Sequence, residues 1–314
     1  MKQHNAKPIG AKEARPARNL IKKSPFRTTG GAFISGLTPY AAQWESYLER
    51  YAIPTFALCH DVQTILSQPF TEDYKDSLGK DRSYTPDFLI KTTKGRELVI
   101  EIKSLRFMFS EQALDIHTAI ANHFLPKPQI FRFCVDKQIE DQPRFNSVKL
   151  LFRYVTSNIP KSLPDTISPL MSSEPIAISE LMKLAKVGLG DIYALIAQKH
   201  LTIDWSQLLN KDAYVSLPNK PFKGLEIDDI LSCGKFSNLL AELAMGIRPA
   251  DKRLMASAQN GRRLDRSAGA FSVIAGFPRT APIRDLKPNE RPARSAWDRA
   301  DQAPGRCPSK KTSD

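Results

Sequence analysis

Two short apolar stretches, PDFLI at residues 86–90 and LVIEIK at residues 98–103, carry charge where buried strands ordinarily carry none. Between them lies KTTKGR, whose Gly95 suits a hairpin turn, so residues 84–90 and 97–103 are expected as paired strands. Side chains alternate along a strand. Glu101 and Lys103 therefore share one face, and Ile100 and Ile102 the other. If paired residue numbers sum to about 188, Asp87 stands opposite Glu101. Two carboxylates so placed repel each other. A hard divalent cation such as Mg²⁺ resolves the conflict, taking carboxylate oxygens, a backbone carbonyl and waters. A lysine beside it can orient or deprotonate a water and offset charge developing on a phosphate. The same pattern also fits an edge hairpin with a solvated Asp–Glu–Lys ladder, and the spacing alone leaves both readings open.

Upstream, residues 41–51 (AAQWESYLERY) place Trp44, Tyr47, Leu48 and Tyr51 at helical spacing. Glu45 and Glu49, four apart, share a face of that helix, and either can supply a third carboxylate. With Arg50 they equally make an ordinary solvated face. Residues 111–124 and 145–155 read as further helices, and 130–135 (IFRFCV) as a strand. The order α, β, β, α, β, α over residues 37–158 is a mixed α/β domain.

Residues 159–175 hold four prolines and several serines and read as a linker. Residues 176–245 form a second, smaller region. Helices are expected at 178–187, 190–199 and 236–245, short strands at 201–203 and 214–217, and a helical turn at 205–209. This suggests a winged-helix-like module, with a helical knob for protein contacts as the alternative. Residues 1–36 read as an extended basic arm. Residues 246–314, rich in Pro, Arg, Ala and Ser, read as a basic disordered tail with short helices at 252–255 or 296–300 that form on a partner.

Charge follows this division. The chain of 314 residues carries a net charge of +13. Residues 1–36 have eight Lys or Arg against Glu13 alone, and residues 246–314 have fifteen against seven acids, so the body is nearly neutral. Basic ends on a neutral body suit a polyanion, because each phosphate contact releases counterions; the alternative is that they aid solubility only. Lys22, Lys23 and Arg27 in the arm, and Arg262, Arg263 and Arg266 in the tail, are the expected phosphate contacts. The four cysteines, Cys59, Cys134, Cys233 and Cys307, are far apart and read as reduced thiols. His60, His117, His123 and His200 stand at no metal-ligand spacing and read as surface or core histidines. A Gly-rich phosphate loop and an apolar run long enough for a membrane span are lacking in the sequence, and a secretory leader is not expected, because no apolar stretch follows the first basic residues.

Taken together, Ser46-x-x-Glu49, Asp61-Val62, Gln68-Pro69, Tyr84-Thr85-Pro86-Asp87-Phe88-Leu89 and Val99-Ile100-Glu101-Ile102-Lys103 resemble the TnsA endonuclease family, the partner subunit of a heteromeric cut-and-paste transposase. The resemblance spans residues 44–103, continues weakly through 146–154 and extends to the small C-terminal module. It implies an α/β fold with a restriction-endonuclease-like PD-(D/E)XK core and a winged-helix-like C-terminal domain. It implies catalytic roles for Glu49 (or Glu45, if the helix register differs), Asp87, Glu101 and Lys103. Asp87, Glu101, the Ile102 carbonyl and Glu49 are the implied ligands of Mg²⁺, with Mn²⁺ able to substitute. The implied activity is hydrolysis of double-stranded DNA at the 5′ ends of a mobile element. A DDE-type transposase and an AAA+ ATPase regulator are the implied partners, in a bacterial cytoplasm and at the nucleoid when acting. A restriction- or repair-type nuclease acting alone and a non-catalytic DNA-binding adaptor are the alternatives. The basic tail after Met245 is not required by the family.

Overall fold

A computed structural model describes residues 15–21, 29–171 and 173–267, with side chains of the last helix described as far as residue 259. β1 (Gly30–Ala32) pairs antiparallel with β2 (Ala42–Trp44), and α1 (Tyr47–Ala57) follows. β3 (Val62–Ser67) leads into the hairpin β4 (Glu72–Lys75) and β5 (Asp81–Tyr84), then β6 (Phe88–Thr92) and β7 (Glu97–Lys103). A 3-10 turn at Leu105–Phe107 precedes α2 (Glu111–Phe124) and β8 (Ile130–Val135). α3 (Asp136–Ile139) and α4 (Arg144–Leu151) complete the first region. The central sheet has the order β3-β6-β7-β8, with β7 and β8 parallel and the other pairs antiparallel.

The β6–β7 register pairs Phe88 with Ile100 and Leu89 with Val99, so paired numbers sum to 188 as the hairpin reading expects. Gly95, at φ 77°, makes the turn. Phe88, Ile90, Leu98, Ile100 and Ile102 pack on one side of the sheet with Ile53 and Phe56 of α1. Leu89, Val99, Phe131 and Phe133 pack on the other with Leu114, Ala121 and Phe124 of α2. Charged positions on β7 are therefore confined to the α2 face, with Glu97 at its start and Glu101 and Lys103 at its C-terminal end.

The first helix departs from the reading of residues 41–51. Residues 42–44 are a strand, and the helix begins at Tyr47 and runs through Pro54 to Ala57. Ser46 decides the start: its hydroxyl accepts the Glu49 N–H, and the Glu49 carboxylate reaches back to the Glu45 N–H. Pro54 costs a backbone hydrogen bond, but Ile53, Phe56 and Ala57 are fully buried around it. The strand expected at 84–90 is likewise divided: Tyr84 ends β5, and β6 starts after Pro86-Asp87.

The stretches expected as linker and tail contain helices. The stretch expected as a free linker contains α5 (Leu163–Ile167), and both Leu163 and Ile167 are buried in the second core. That core is built on β9 (Ile176–Ala177), α6 (Ile178–Ala185), α7 (Leu189–Ala197), β10 (Thr202–Ile203) and β11 (Tyr214–Ser216), in the sheet order β10-β11-β9. No helical turn is present at 205–209. The chain then returns to the first sheet. α8 (Ile227–Leu231) adds Ile227 and Ile230 to the α1-side core. α9 (Ser237–Ala244) adds Leu239, Leu240 and Leu243 to the α2-side core. α10 (Lys252–Ser267) follows, with Ala258 buried and Leu254 and Met255 half-buried against the same core. Residues 246–267 of the expected disordered tail are thus ordered, because an apolar stripe on α10 finds a ready-made face. No helix among the described residues is long and apolar enough to cross a membrane.

Leu243 is fully buried between α9 and the sheet. Leu243→Ala should lower the unfolding free energy by about 2–5 kcal/mol in a denaturant titration. A change within about 0.5 kcal/mol, the range of surface substitutions, would contradict the docking of α9.

Candidate active site

Glu49, Asp87, Glu101 and Lys103 come from three elements and meet at one end of the central sheet. Glu49 sits in the first turn of α1, held by its own cap. Its carboxylate accepts from the Ser46 hydroxyl at 2.7 Å and from the Glu45 N–H at 2.9 Å. Asp87 precedes β6, and its Oδ2 accepts the Ile102 N–H at 2.8 Å, which ties it to β7 beside Glu101. Glu101 Oε1 pairs with the Lys103 ammonium at 2.7 Å, and its Oε2 accepts the Tyr84 hydroxyl at 2.6 Å. The three carboxylate residues are 6, 8 and 6 % exposed, whereas the Lys103 side chain is 41 % exposed. The acids thus line a floor, and the ammonium opens toward solvent.

The electrostatics follow from this crowding. Burial, with Glu101 and Glu49 nearby, pushes the Asp87 carboxyl well above the usual carboxylate range, against Lys103 and the Ile102 N–H. Burial also raises Glu49, and Glu45 and Glu101 add to the rise; its bonds to Ser46 and Glu45 only partly oppose it. Lys103 behaves oppositely. Burial alone would pull its ammonium down, but Glu101, Asp87 and Glu49 outweigh that and hold it above its ordinary value. Tyr84 is driven well up by burial and by Glu101, so it stays a phenol and a donor. His117 on α2 lies with its ring 5.0 Å from that of Phe133, and burial together with Lys103 lowers it to about 4.

Glu45, the alternative helix carboxylate, faces outward and pairs with Arg18 at 3.1 Å. The Ser46 cap therefore favours Glu49 as the acid turned toward Asp87 and Glu101. Lys22, Lys23 and Arg27 lie outside the described residues, as do the side chains of Arg262, Arg263 and Arg266 on α10. Cys59, Cys134 and Cys233 are free thiols, and Cys307 lies outside the described residues.

Among the described residues no group of three or more His, Cys, Asp and Glu side chains stands at metal-ligand geometry. Each carboxylate is instead turned onto a protein donor: Glu49 onto Ser46, Asp87 onto Ile102, and Glu101 onto Tyr84 and Lys103. The donor chemistry is nonetheless that of a hard divalent ion, all carboxylate and carbonyl oxygen. Burial first, and neighbouring carboxylates second, raise the Asp87 and Glu49 carboxyls despite Lys103 nearby.

Tyr84 escapes a reading of the sequence as a site residue, although it begins the YTPDFL stretch. Only the break between β5 and β6 turns its hydroxyl onto Glu101. Gln68, which the sequence offers only as part of the Gln68-Pro69 motif and with no role, and Arg18, to which no spacing points, also border the site.

Residues 59–130 match the family model described as TnsA-like endonuclease N terminal. The match contains Asp87, Glu101 and Lys103 and ends before β8 is complete. No curated protein matches the chain.

The crowding has a measurable consequence for folding. A carboxyl raised in the native state costs stability above its unfolded pKa, and the cost disappears as pH falls toward that value. In metal-free buffer Asp87→Asn, which keeps an acceptor for Ile102, should therefore raise Tm near pH 7. The gain should shrink toward pH 4, where the unfolded carboxylate is also protonated. An Asp87→Asn protein less stable than wild type at pH 7, or a gain that grows on acidification, would contradict the electrostatic account.

Proposed function

We infer, from the TnsA-like endonuclease N-terminal segment that the chain carries at residues 59–130, that it is a Mg²⁺-dependent DNA endonuclease acting as one subunit of a heteromeric transposase. The observation that carries the reading is the convergence of Glu49, Asp87 and Glu101 beside Lys103 at one sheet end. Structural proteins rarely keep three buried acids together, since each adds a desolvation cost of its own.

Asp87, Glu101, the Ile102 carbonyl and Glu49 would hold the ion. When bound, it supplies positive charge for the developing phosphorane-like transition state and a water of lowered pKa. Asp87 is kept in place by the Ile102 N–H, so the loop before β6 is anchored to β7. Tyr84 fixes one oxygen of Glu101 and leaves the other to an exchangeable partner, Lys103. The Lys103 ammonium, firmly charged and partly exposed, positions the attacking water and stabilises charge on the phosphate. The hydrolysis would leave 3′-hydroxyl and 5′-phosphate ends and free the 5′ ends of the mobile element. A DDE-type transposase would process the opposite strand, and an AAA+ regulator would control the assembly.

The module of residues 163–216 runs α5, β9, α6, α7, β10, β11, with β11 central in its sheet, an order that supports the winged-helix-like reading. In such modules the helix before the β-hairpin reads the major groove. Here that helix is α7, and residues 192–197 are buried without a break. Tyr193 stacks edge-on to Tyr154 at 5.6 Å. The module therefore works as a packing platform in our reading, and phosphate contact falls to the basic ends and the rim of the site.

Glu101→Ala or Lys103→Ala should abolish Mg²⁺-dependent nicking of duplex DNA, with a loss of at least about 100-fold. DNA binding by either variant should remain nearly intact. Undiminished cleavage by either protein would remove the site assignment. Intrinsic cleavage without partner subunits would favour the restriction- or repair-type reading instead.

A further inference from the structure

Gln68 stands at the end of β3, directly across from Asp87: its N–H donates to the Asp87 carbonyl at 2.9 Å, continuing the Ser67–Phe88 register. It is costly to keep as it is. Its φ is 47°, a left-handed conformation that penalises a residue with a Cβ. Its side chain is fully buried, and its Nε2 has no hydrogen-bond partner among the described residues. An orphaned buried donor ordinarily destabilises a fold. The strain and the orphan donor coincide on one residue beside Asp87, where a requirement other than stability is expected to set the geometry.

What this glutamine does hold is the arm. Its carbonyl accepts the Ala17 N–H at 2.8 Å, and its Oε1 accepts Arg18 Nε at 3.1 Å. A second anchor lies two residues on, where Leu20 is buried and its N–H donates to Gln43 Oε1 at 2.7 Å. Arg18 also reaches Glu45 Oε1 at 3.1 Å, and the Glu45 N–H is bound by Glu49. One guanidinium thus bridges the strand end next to Asp87 and the helix start that carries Glu49. Its side chain is 48 % exposed, and its remaining N–H groups have no partner among the described residues. A guanidinium has five donors, and a planar fork of free donors at the rim of an acidic floor suits a phosphate oxygen.

We propose that Arg18 binds the DNA backbone at the edge of the cleavage site, and that Gln68 is the positioning residue that holds it there. The proposal rests on the endonuclease reading above and adds a substrate contact to it. The contact is to phosphate, so it aligns the strand over Asp87 and Glu101 without reading sequence. It also explains why a strained, half-satisfied glutamine is retained: the acceptor and the backbone carbonyl are both spent on residues 17 and 18.

The test uses the full chain, a fluorescent DNA duplex and Ca²⁺ in place of Mg²⁺, so that affinity is read without cleavage. Arg18→Ala should weaken binding about tenfold and flatten the slope of log affinity against log salt by about one. Gln68→Met should weaken binding by a similar factor with Tm unchanged or raised, since it removes the orphan donor. The double variant should bind no worse than Arg18→Ala, because the two act through one contact. Gln68→Glu keeps the acceptor for Arg18 and should retain most of the affinity. Additive losses in the double variant, an unchanged salt slope in Arg18→Ala, or a Gln68→Met effect matched by a fall in Tm would overturn the proposal. Nicking is scored separately: a wild-type chain that binds DNA with the expected Arg18 dependence but never cleaves it would sink the endonuclease reading and leave this contact standing.

Discussion

Mutual repulsion among buried acids shapes this end of the molecule. Glu49, Asp87 and Glu101 each hold a hydrogen bond or ion pair that keeps them individually satisfied. Burial and mutual repulsion together still hold the Asp87 and Glu49 carboxyls above the usual carboxylate range. The strain is tolerable only because the surrounding framework is over-determined. β7 is buried on both faces, α1 is capped by the same glutamate that joins the site, and Tyr84 is locked between β5 and Glu101. Carboxyls raised in this way cluster where chemistry needs them, and they are the reason this end of the sheet is read as the candidate site.

The framework is not two beads on a string. The second core shares Leu58, Val148 and Leu151 with the first region, and α8, α9 and α10 come back after it to close both faces of the central sheet. Asp61 illustrates how tightly the return is sewn: its carboxylate accepts the Ile227 N–H at 2.9 Å and faces Arg96 at 3.5 Å. Arg248, just beyond α9, pairs with Asp115 at 2.8 Å and with Glu111 on α2. The active-site strands therefore depend on packing supplied by the last quarter of the described chain.

Much of this was legible in the sequence where local rules decide. β7, α2 and β8 fall on the residues that period and turn chemistry assign, and the Gly95 hairpin carries the register that sets Asp87 across from Glu101. What was not legible depends on partners distant in sequence. Residues 41–44 look helical because Trp44, Tyr47, Leu48 and Tyr51 share a period, yet pairing with residues 30–32 makes 42–44 a strand. The polar β4–β5 hairpin has no apolar alternation to announce it. A helix's apolar stripe says that α9 must dock but not on which sheet. Tyr84 and Gln68 stand in recognisable motifs, but their contacts with the site, and Arg18 altogether, depend on tertiary structure. Of the sequence-assigned site residues, the four tied to strands and a cap converge, while the basic residues of the arm and the side chains of those on α10 fall beyond what is described.

The most direct measurement is a crystal structure of the full chain grown with Mn²⁺ and read by anomalous scattering. The account predicts a single strong peak between the Asp87 and Glu101 carboxylates, within reach of Glu49 and the Ile102 carbonyl, with the Lys103 ammonium drawn off Glu101. A fully ordered site that stays empty at millimolar Mn²⁺, with Lys103 still paired to Glu101, would contradict it.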